Sequence, residues 1–120
     1  MVIRSWRDAK PGVGHDMKII WSIFRARGSG ADPAEGCLLA MSGLTLHRLQ
    51  PGAEGDDHDH ADKEQVYYFT AGRGKMKIDG RIHEVRAGDA VHLPPHCRHQ
   101  MINDSDDWVE HLIITAPVPA

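Results

Sequence analysis

No stretch of this 120-residue chain approaches the roughly 18–20 consecutive apolar residues that a membrane helix needs, and its mean hydropathy is −0.43. A membrane is therefore not an expected partner. The opening Met1-Val2-Ile3-Arg4-Ser5-Trp6-Arg7 has no apolar run of signal-peptide length behind its basic residues, so a cytoplasmic location is the expectation. Cysteine is scarce. Cys37 and Cys97 lie far apart without CxxC or other zinc-cluster spacing, which argues against a disulfide scaffold and a structural zinc cluster and predicts two buried thiols. Neither sign of charge dominates: 14 Lys and Arg stand against 17 Asp and Glu, a formal net charge of −3 with histidine neutral, and no basic cluster forms a phosphate-tracking stripe. Nucleic acid is not expected as a partner. Also missing is any sustained apolar stripe at 3.6-residue spacing, so long amphipathic helices are not expected.

What the chain does have is short alternation, close turn signals and histidine. Its length suits one domain. Residues 1–17, with Pro11, Gly12 and Gly14 among charges, read as an irregular N-terminal arm, and 18–120 as a single domain. KIIWSIFR at 18–25 alternates and is rich in β-branched and aromatic residues, which predicts a strand. Residues 26–36 read as a surface loop and 38–49 as a second strand ending at Pro51-Gly52. After a loop at 52–64 come VYYFT (66–70), KMKI (75–78), RIHEV (81–85), AVHL (90–93), RHQMI (98–102) and WVEHLIIT (108–115). Turn residues separate them, among them Asp79-Gly80, a strong hairpin dipeptide. So many short strands at close intervals predict an all-β sandwich or barrel.

Histidine is the anomaly, at nine residues, because it is the commonest metal ligand and the usual proton carrier near neutral pH. His58 and His60 point to one face if their segment is extended. Gln65 follows closely enough for a turn to bring its amide beside them, and His99 offers a third imidazole. Asp56, Asp57, Asp59 and Asp62 around the pair would suit a solvated acidic loop, but the later His99 favours metal binding. The calcium-loop pattern is absent. These stretches resemble the paired motifs of the cupin superfamily, G(X)5HXH(X)3,4E(X)6G and G(X)5PXG(X)2H(X)3N. The first falls on Gly52, His58, His60, position 65 and Gly72, within 52–72, and the second on Gly88, Pro94, position 96, His99 and Asn103, within 88–103. The resemblance implies a double-stranded β-helix, or jelly-roll barrel, of six to eight strands. It also implies that His58, His60, residue 65 and His99 project inward onto one divalent first-row metal ion, with zinc, iron, manganese and nickel all open.

Two positions depart from that pattern. The family usually has glutamate at position 65, where this chain has Gln65 preceded by Glu64. Strand alternation makes the two exclusive, and the spacing to Gly72 favours Gln65 inward together with Tyr67 and Phe69. A neutral amide there leaves the ion its full charge. The other departure is His96 where the family has glycine, at a loop position open to positive φ, which histidine tolerates better than most residues. Tyr67 is the candidate catalytic residue, as a proton donor or acceptor two residues past the presumed ligand, although a tyrosine on a strand is more often core. His47, His83, His92, His96 and His111 read as surface or core histidines, Cys97 as a small apolar residue, and Trp21, Trp108, Met76, Met101 and Ile114 as barrel lining or interface.

A metal held by three imidazoles and an amide suits Lewis-acid chemistry on a small oxygen-rich metabolite, so the resemblance implies an enzyme of lyase, isomerase or cyclase type. Two alternatives stand beside it: an Fe(II)-dependent dioxygenase, and a non-catalytic cupin that binds metal and a small ligand. The partners expected are a small molecule and a second copy of the chain, a homodimer formed through the arm and the 18–25 strand.

Overall fold

The structure is a computed structural model that describes residues 1–15, 17–30 and 32–119. Turn chemistry sets where its strands begin and end. Asp79 and Gly80 adopt positive φ, 47° and 82°, and close the tight hairpin between β5 (Arg73–Ile78) and β6 (Arg81–Arg86). Gly72, at φ 80°, turns the chain from β4 (Lys63–Ala71) into β5, and Gly88, at φ 96°, turns β6 into β7 (Ala90–Leu93). His96 lies at φ 65°, the left-handed conformation expected of that loop position.

The described residues form nine strands in two sheets, all antiparallel within the sheets. The remaining five are β1 (Gly12–Gly14), β2 (Lys18–Arg25), β3 (Gly43–Leu49), β8 (His99–Ile102) and β9 (Val109–Pro117). Six make one sheet in the order β1-β2-β3-β9-β4-β7, and three make the other in the order β6-β5-β8. The sheets face each other as a jelly-roll barrel. One strand beyond the expected eight is β1, which the arm adds to the edge of β2 by pairing Gly12 with Ile20 and Gly14 with Lys18. The arm is thus less irregular than its composition suggests. Ser5 caps a 3-10 turn at Trp6–Asp8, and Trp6 meets Trp21 edge-on at 5.4 Å between ring centroids.

The second predicted strand is shorter than read. Its ladder to β9 begins only at Gly43, opposite Thr115. Upstream the chain turns to close the 26–36 loop, where Leu38 makes a single parallel bridge to Ala26, and Leu39 and Met41 are left exposed. The two cysteines are free but only half-buried, so the buried-thiol expectation is corrected. Both sit in loops beside the strands, where packing covers one side of the side chain.

Alternation assigns the interior. Leu49 on β3, Tyr67 and Phe69 on β4, Met76 on β5, Met101 on β8 and Val109 and Ile113 on β9 form one continuous core. Met76 and Met101 therefore line the barrel as read, whereas Trp108 and Ile114 face outward and are partly exposed. The outer face of the large sheet is apolar too. Leu46 and Ile23 are buried there, and Leu46 pairs directly with Trp21 beneath the arm.

Gly72 also has a packing role. A Cβ at that position would lie 2.2 Å from the Trp108 carbonyl oxygen, whereas one at Gly80, also at positive φ, would meet nothing within 4 Å. Both Gly→Ala changes incur left-handed strain of about 1–2 kcal/mol, but only Gly72→Ala adds the clash. In urea unfolding, Gly80→Ala is expected to lose about 1 kcal/mol and Gly72→Ala clearly more, about 2 kcal/mol or above; equal losses would remove the close-contact explanation.

Candidate metal centre

Two backbone hydrogen bonds build the centre. The chain at 54–58 runs antiparallel to β8 without forming a full strand: His58 N–H donates to the His99 carbonyl at 3.0 Å, and His99 N–H returns to the His58 carbonyl at 2.8 Å. Directly opposed residues on antiparallel backbone share a face, so the two imidazoles meet, with ring centroids 4.4 Å apart. Two residues on, His60 accepts a backbone hydrogen bond from His96 N–H at 2.7 Å. Its ring lies 4.9 Å from that of His58 and 5.6 Å from that of His99. One ligand atom from each of the three imidazoles lies within 4.8 Å of the others.

The donors around the group leave ring nitrogens free. His99 Nδ1–H donates to the Cys97 carbonyl at 3.0 Å, which puts its lone pair on Nε2, and Nε2 is buried without a hydrogen-bond partner. His58 is oriented in the same way, its Nδ1 lying 3.1 Å from the Asp56 carbonyl and 3.2 Å from the Asp56 carboxylate. Burial lowers the His99 pKa to about 4, against the opposing effect of the Cys97 carbonyl, and burial followed by the charge of Lys63 lowers that of His60. Both are neutral imidazoles at neutral pH, the form a metal requires.

Gln65 faces inward from β4. Its amide Nε2 donates to Thr115 Oγ1 at 3.2 Å, and its Oε1 is buried without a partner. The unpartnered Nε2 of buried His99 within the three-imidazole group is costly unless something electropositive meets it, so these histidines fit a divalent cation, and Gln65 Oε1 is a second buried atom without a partner. Glu64 points the other way, onto the surface, where its Oε1 lies 2.9 Å from His92 Nε2. Tyr67 is buried beside the group. Its ring stacks on His111 at 4.9 Å and meets His99 edge-on at 5.9 Å, and burial, followed by the nearby Asp56 charge, raises its pKa. Its phenol keeps its proton.

From sequence, His47 and His111 read as surface or core histidines and Lys18 has no assigned role; the structure makes all three core. His111, on β9, is wholly buried with neither ring nitrogen partnered, and its cross-strand neighbour His47 stacks on it at 5.3 Å with Nδ1 also unpartnered. Burial, then the charge of Lys18, holds both well below the ordinary histidine range. Lys18 itself is 2% exposed. The signal available was alternation, since Lys18 and His47 fall in register with inward Ile20 and Leu49, but the apolar residues of the opposite face made the stronger pattern. His15 was missed as well; its Nδ1 lies 2.9 Å from Asp56, at the rim.

Other features carry less. Burial and the Asp79 carboxylate push the Cys97 thiol up, so it remains a thiol. An open groove of about 600 Å³ lined by Arg73, Lys75, Glu84, Arg86, Asp89 and Asp104 touches none of the histidines, and its charges partly pair with one another, Lys75 with Asp104 at 2.7 Å. Among the described residues no helix is long and apolar enough to cross a membrane.

Comparison with known proteins shows the family and the fold. The chain is 31% identical over 88 residues to the polyketide synthase CurC of Streptomyces cyaneus, a match covering 71% of this chain and 56% of that protein. It spans 37% to 56% of the length of the curated relatives it matches. A predicted oxalate decarboxylase from Thermotoga maritima superposes with a TM-score of 0.78 at 19% identity, over 98% of this chain and 100% of that one. A cupin 2 conserved barrel domain protein from Salinispora arenicola does so with 0.74 at 22%, over 97% and 88%. These two establish the shared barrel. The cupin domain family matches residues 45–115, from β3 to β9 and across the three-histidine group, and the chain belongs to that family.

Proposed function

We propose that this protein is a metal-dependent enzyme in which His58, His60, His99 and Gln65 hold one divalent first-row ion, and which acts on a small oxygen-rich metabolite as a lyase, isomerase or cyclase. The observation that carries the reading is the convergence of three imidazole ligand atoms within 4.8 Å, with the Nε2 of His99 buried and without a partner. Such an ion supplies Lewis acidity, polarising a carbonyl or carboxylate oxygen or acidifying a bound water. The relative CurC is named a polyketide synthase, and a polyketide chain, rich in carbonyl oxygen, is one class of molecule that such Lewis acidity suits.

The chain's own groups would divide the work as follows. The Cys97 carbonyl and Asp56 hold the rings of His99 and His58 with Nδ1 turned away from the centre. Gln65 would contribute a neutral oxygen, so the ligand set itself would hold no anion. Tyr67, which keeps its phenolic proton, would serve as a hydrogen-bond donor.

Elemental analysis of protein purified without a metal-affinity tag is expected to find near-stoichiometric zinc, manganese or nickel, absent from His58→Ala and His99→Ala. Near-stoichiometric iron, with oxygen consumed on turnover, would favour the dioxygenase reading instead. Wild-type protein that neither carries nor takes up an ion would overturn the metal centre.

For Gln65→Glu the added anionic ligand is expected to tighten divalent-ion binding tenfold or more, on the order of 1.4 kcal/mol, read by calorimetric titration of zinc. Unchanged or weaker binding would remove Gln65 from the ligand set. The reading also includes a homodimer formed through the arm, whose Ile3 and Val13 are exposed. Light scattering is expected to give about twice the 13.3 kDa chain mass, and a monomeric mass would remove that part.

A further inference from the structure

Lys18 is the first residue of β2, and its side chain enters the barrel rather than the solvent. Its ammonium lies 5.8 Å from the centroid of the Tyr67 ring, and Tyr67 in turn contacts both His99 and His111. Space for the lysine is made by Gly55, where a Cβ would come within 3.1 Å of Lys18 Cε and 3.5 Å of Nζ. Among the described residues Lys18 makes no ion pair within 4.0 Å. The acid whose charge reaches it is Asp56, and that carboxylate is already engaged by His15 at 2.9 Å and His58 at 3.2 Å. A buried, charged amine without its own counter-ion is costly, and native proteins rarely keep one without a use for it.

The surroundings of Lys18 share this incompleteness. His111 is wholly buried with both ring nitrogens unpartnered, His47 has Nδ1 unpartnered, and the positive charge of Lys18 acts on His47, His99 and His111 together. One cation and several unpartnered imidazole nitrogens thus cluster around Tyr67 and His111, and the Tyr67 ring also meets His99 of the three-histidine group. Burial lowers the Lys18 pKa to about 8, with Asp56 opposing, which still leaves the amine mostly protonated near pH 7.

We infer that Lys18 is a substrate-binding residue that takes the carboxylate of a small organic acid inside the barrel, with His47 and His111 beside it and the acid's second oxygen directed to the three-histidine group. This deepens the proposed function and rests on it for the second oxygen alone; capture of the carboxylate by Lys18 needs no ion. The substrate class is a short acid carrying a further oxygen, such as a keto-, hydroxy- or dicarboxylic acid. An ammonium facing a carboxylate in a site this dry gives a charge-assisted hydrogen bond, roughly twice as strong as a neutral one.

The test titrates acetate, pyruvate, malonate and citrate, with malonamide and inorganic phosphate for comparison, into the full chain by calorimetry. Each is run with and without saturating zinc, on wild type, Lys18→Met and His99→Ala, and zinc stoichiometry is measured for each protein. At least one carboxylate is expected to bind wild type about tenfold or more tightly than it binds Lys18→Met, while Lys18→Met keeps wild-type zinc stoichiometry and malonamide does not distinguish the two. Removing an uncompensated buried charge is expected to leave the ligand-free melting temperature of Lys18→Met at or above that of wild type. If Lys18→Met fails to fold, Lys18→Gln, which retains polarity, takes its place. Equal affinity of every carboxylate for wild type and the Lys18 variant, or phosphate bound in preference to all of them, would overturn the inference. Wild type that binds no zinc yet still loses carboxylate affinity in Lys18→Met would defeat the metal reading and leave the inference standing.

Discussion

The bridge between His58 and His99 is the constraint on which the site depends. Two backbone hydrogen bonds, at 3.0 and 2.8 Å, bring residues far apart in sequence to face one another. A two-bond bridge outside a ladder is weak by itself, and the structure surrounds it. Gly55 N–H donates to the Met101 carbonyl at 2.8 Å, and the Gln100 amide returns to the Gly55 carbonyl at 2.9 Å. Asp57, which looks from sequence like part of a solvated acidic face, is held by Arg98 at 3.3 Å and Lys77 at 3.4 Å. The Asp79-Gly80 turn contributes from the other side, since Asp79 Oδ1 accepts from Arg98 N–H at 2.9 Å and Asp79 N–H donates to the Arg98 carbonyl at 2.8 Å. One hairpin dipeptide therefore ends a strand and steadies the segment that presents His99.

Behind that bridge the barrel is more polar than a core needs to be. Phe69, Met76, Met101 and Val109 pack one end of the interior, while Tyr67, His47, His111 and Lys18 occupy the part near the histidines. Each partnerless buried nitrogen costs about 1–3 kcal/mol relative to a satisfied one. Hydrophobic replacements of similar volume would make a more stable barrel, so these residues make sense as parts of a binding site and not as packing. The tyrosine reconciles the two ends, offering an apolar face to His111 and a phenol to the interior.

Legibility in the sequence followed physical rank. Strand positions from 66 onward and the hairpin were readable because turn residues there satisfy strict backbone demands, whereas Lys63 and Glu64, read as loop, already belong to β4; His96 at φ 65° shows that a loop conformation can be inferred even where the usual residue is absent. The inward placement of Gln65 and outward placement of Glu64 follow from period-two alternation once Tyr67 and Phe69 are assigned to the core. Lys18, His47 and His111 were not readable, because the sheet that carries them is covered on both faces. Along β3 the outer face holds Leu44 and Leu46 and the inner face Thr45, His47 and Leu49, so hydrophobic contrast favours the wrong side. What reveals the inner face is the arm, whose Trp6 covers Trp21, and nothing in residues 1–17 announces that packing.

Gln65 and Lys18 bear on one balance of charge. A glutamate at position 65 would place an anion inside the barrel, whereas the amide places none, and the nearest carboxylate, Asp56, sits toward the rim with His15 and His58 as its partners. The interior therefore holds a protonated amine and neutral imidazoles, although the chain as a whole carries a formal charge of −3. Fields inside a low-dielectric barrel are set by the charges lining it far more than by the screened surface total. An anion that enters meets attraction from Lys18 and no carboxylate at position 65, with Asp56 the acid still close to the three-histidine group through His58, while a neutral molecule of the same shape meets the cost of stripping water from the amine without recovering it. Selectivity for acids thus follows from what is missing at position 65 as much as from what is present at position 18.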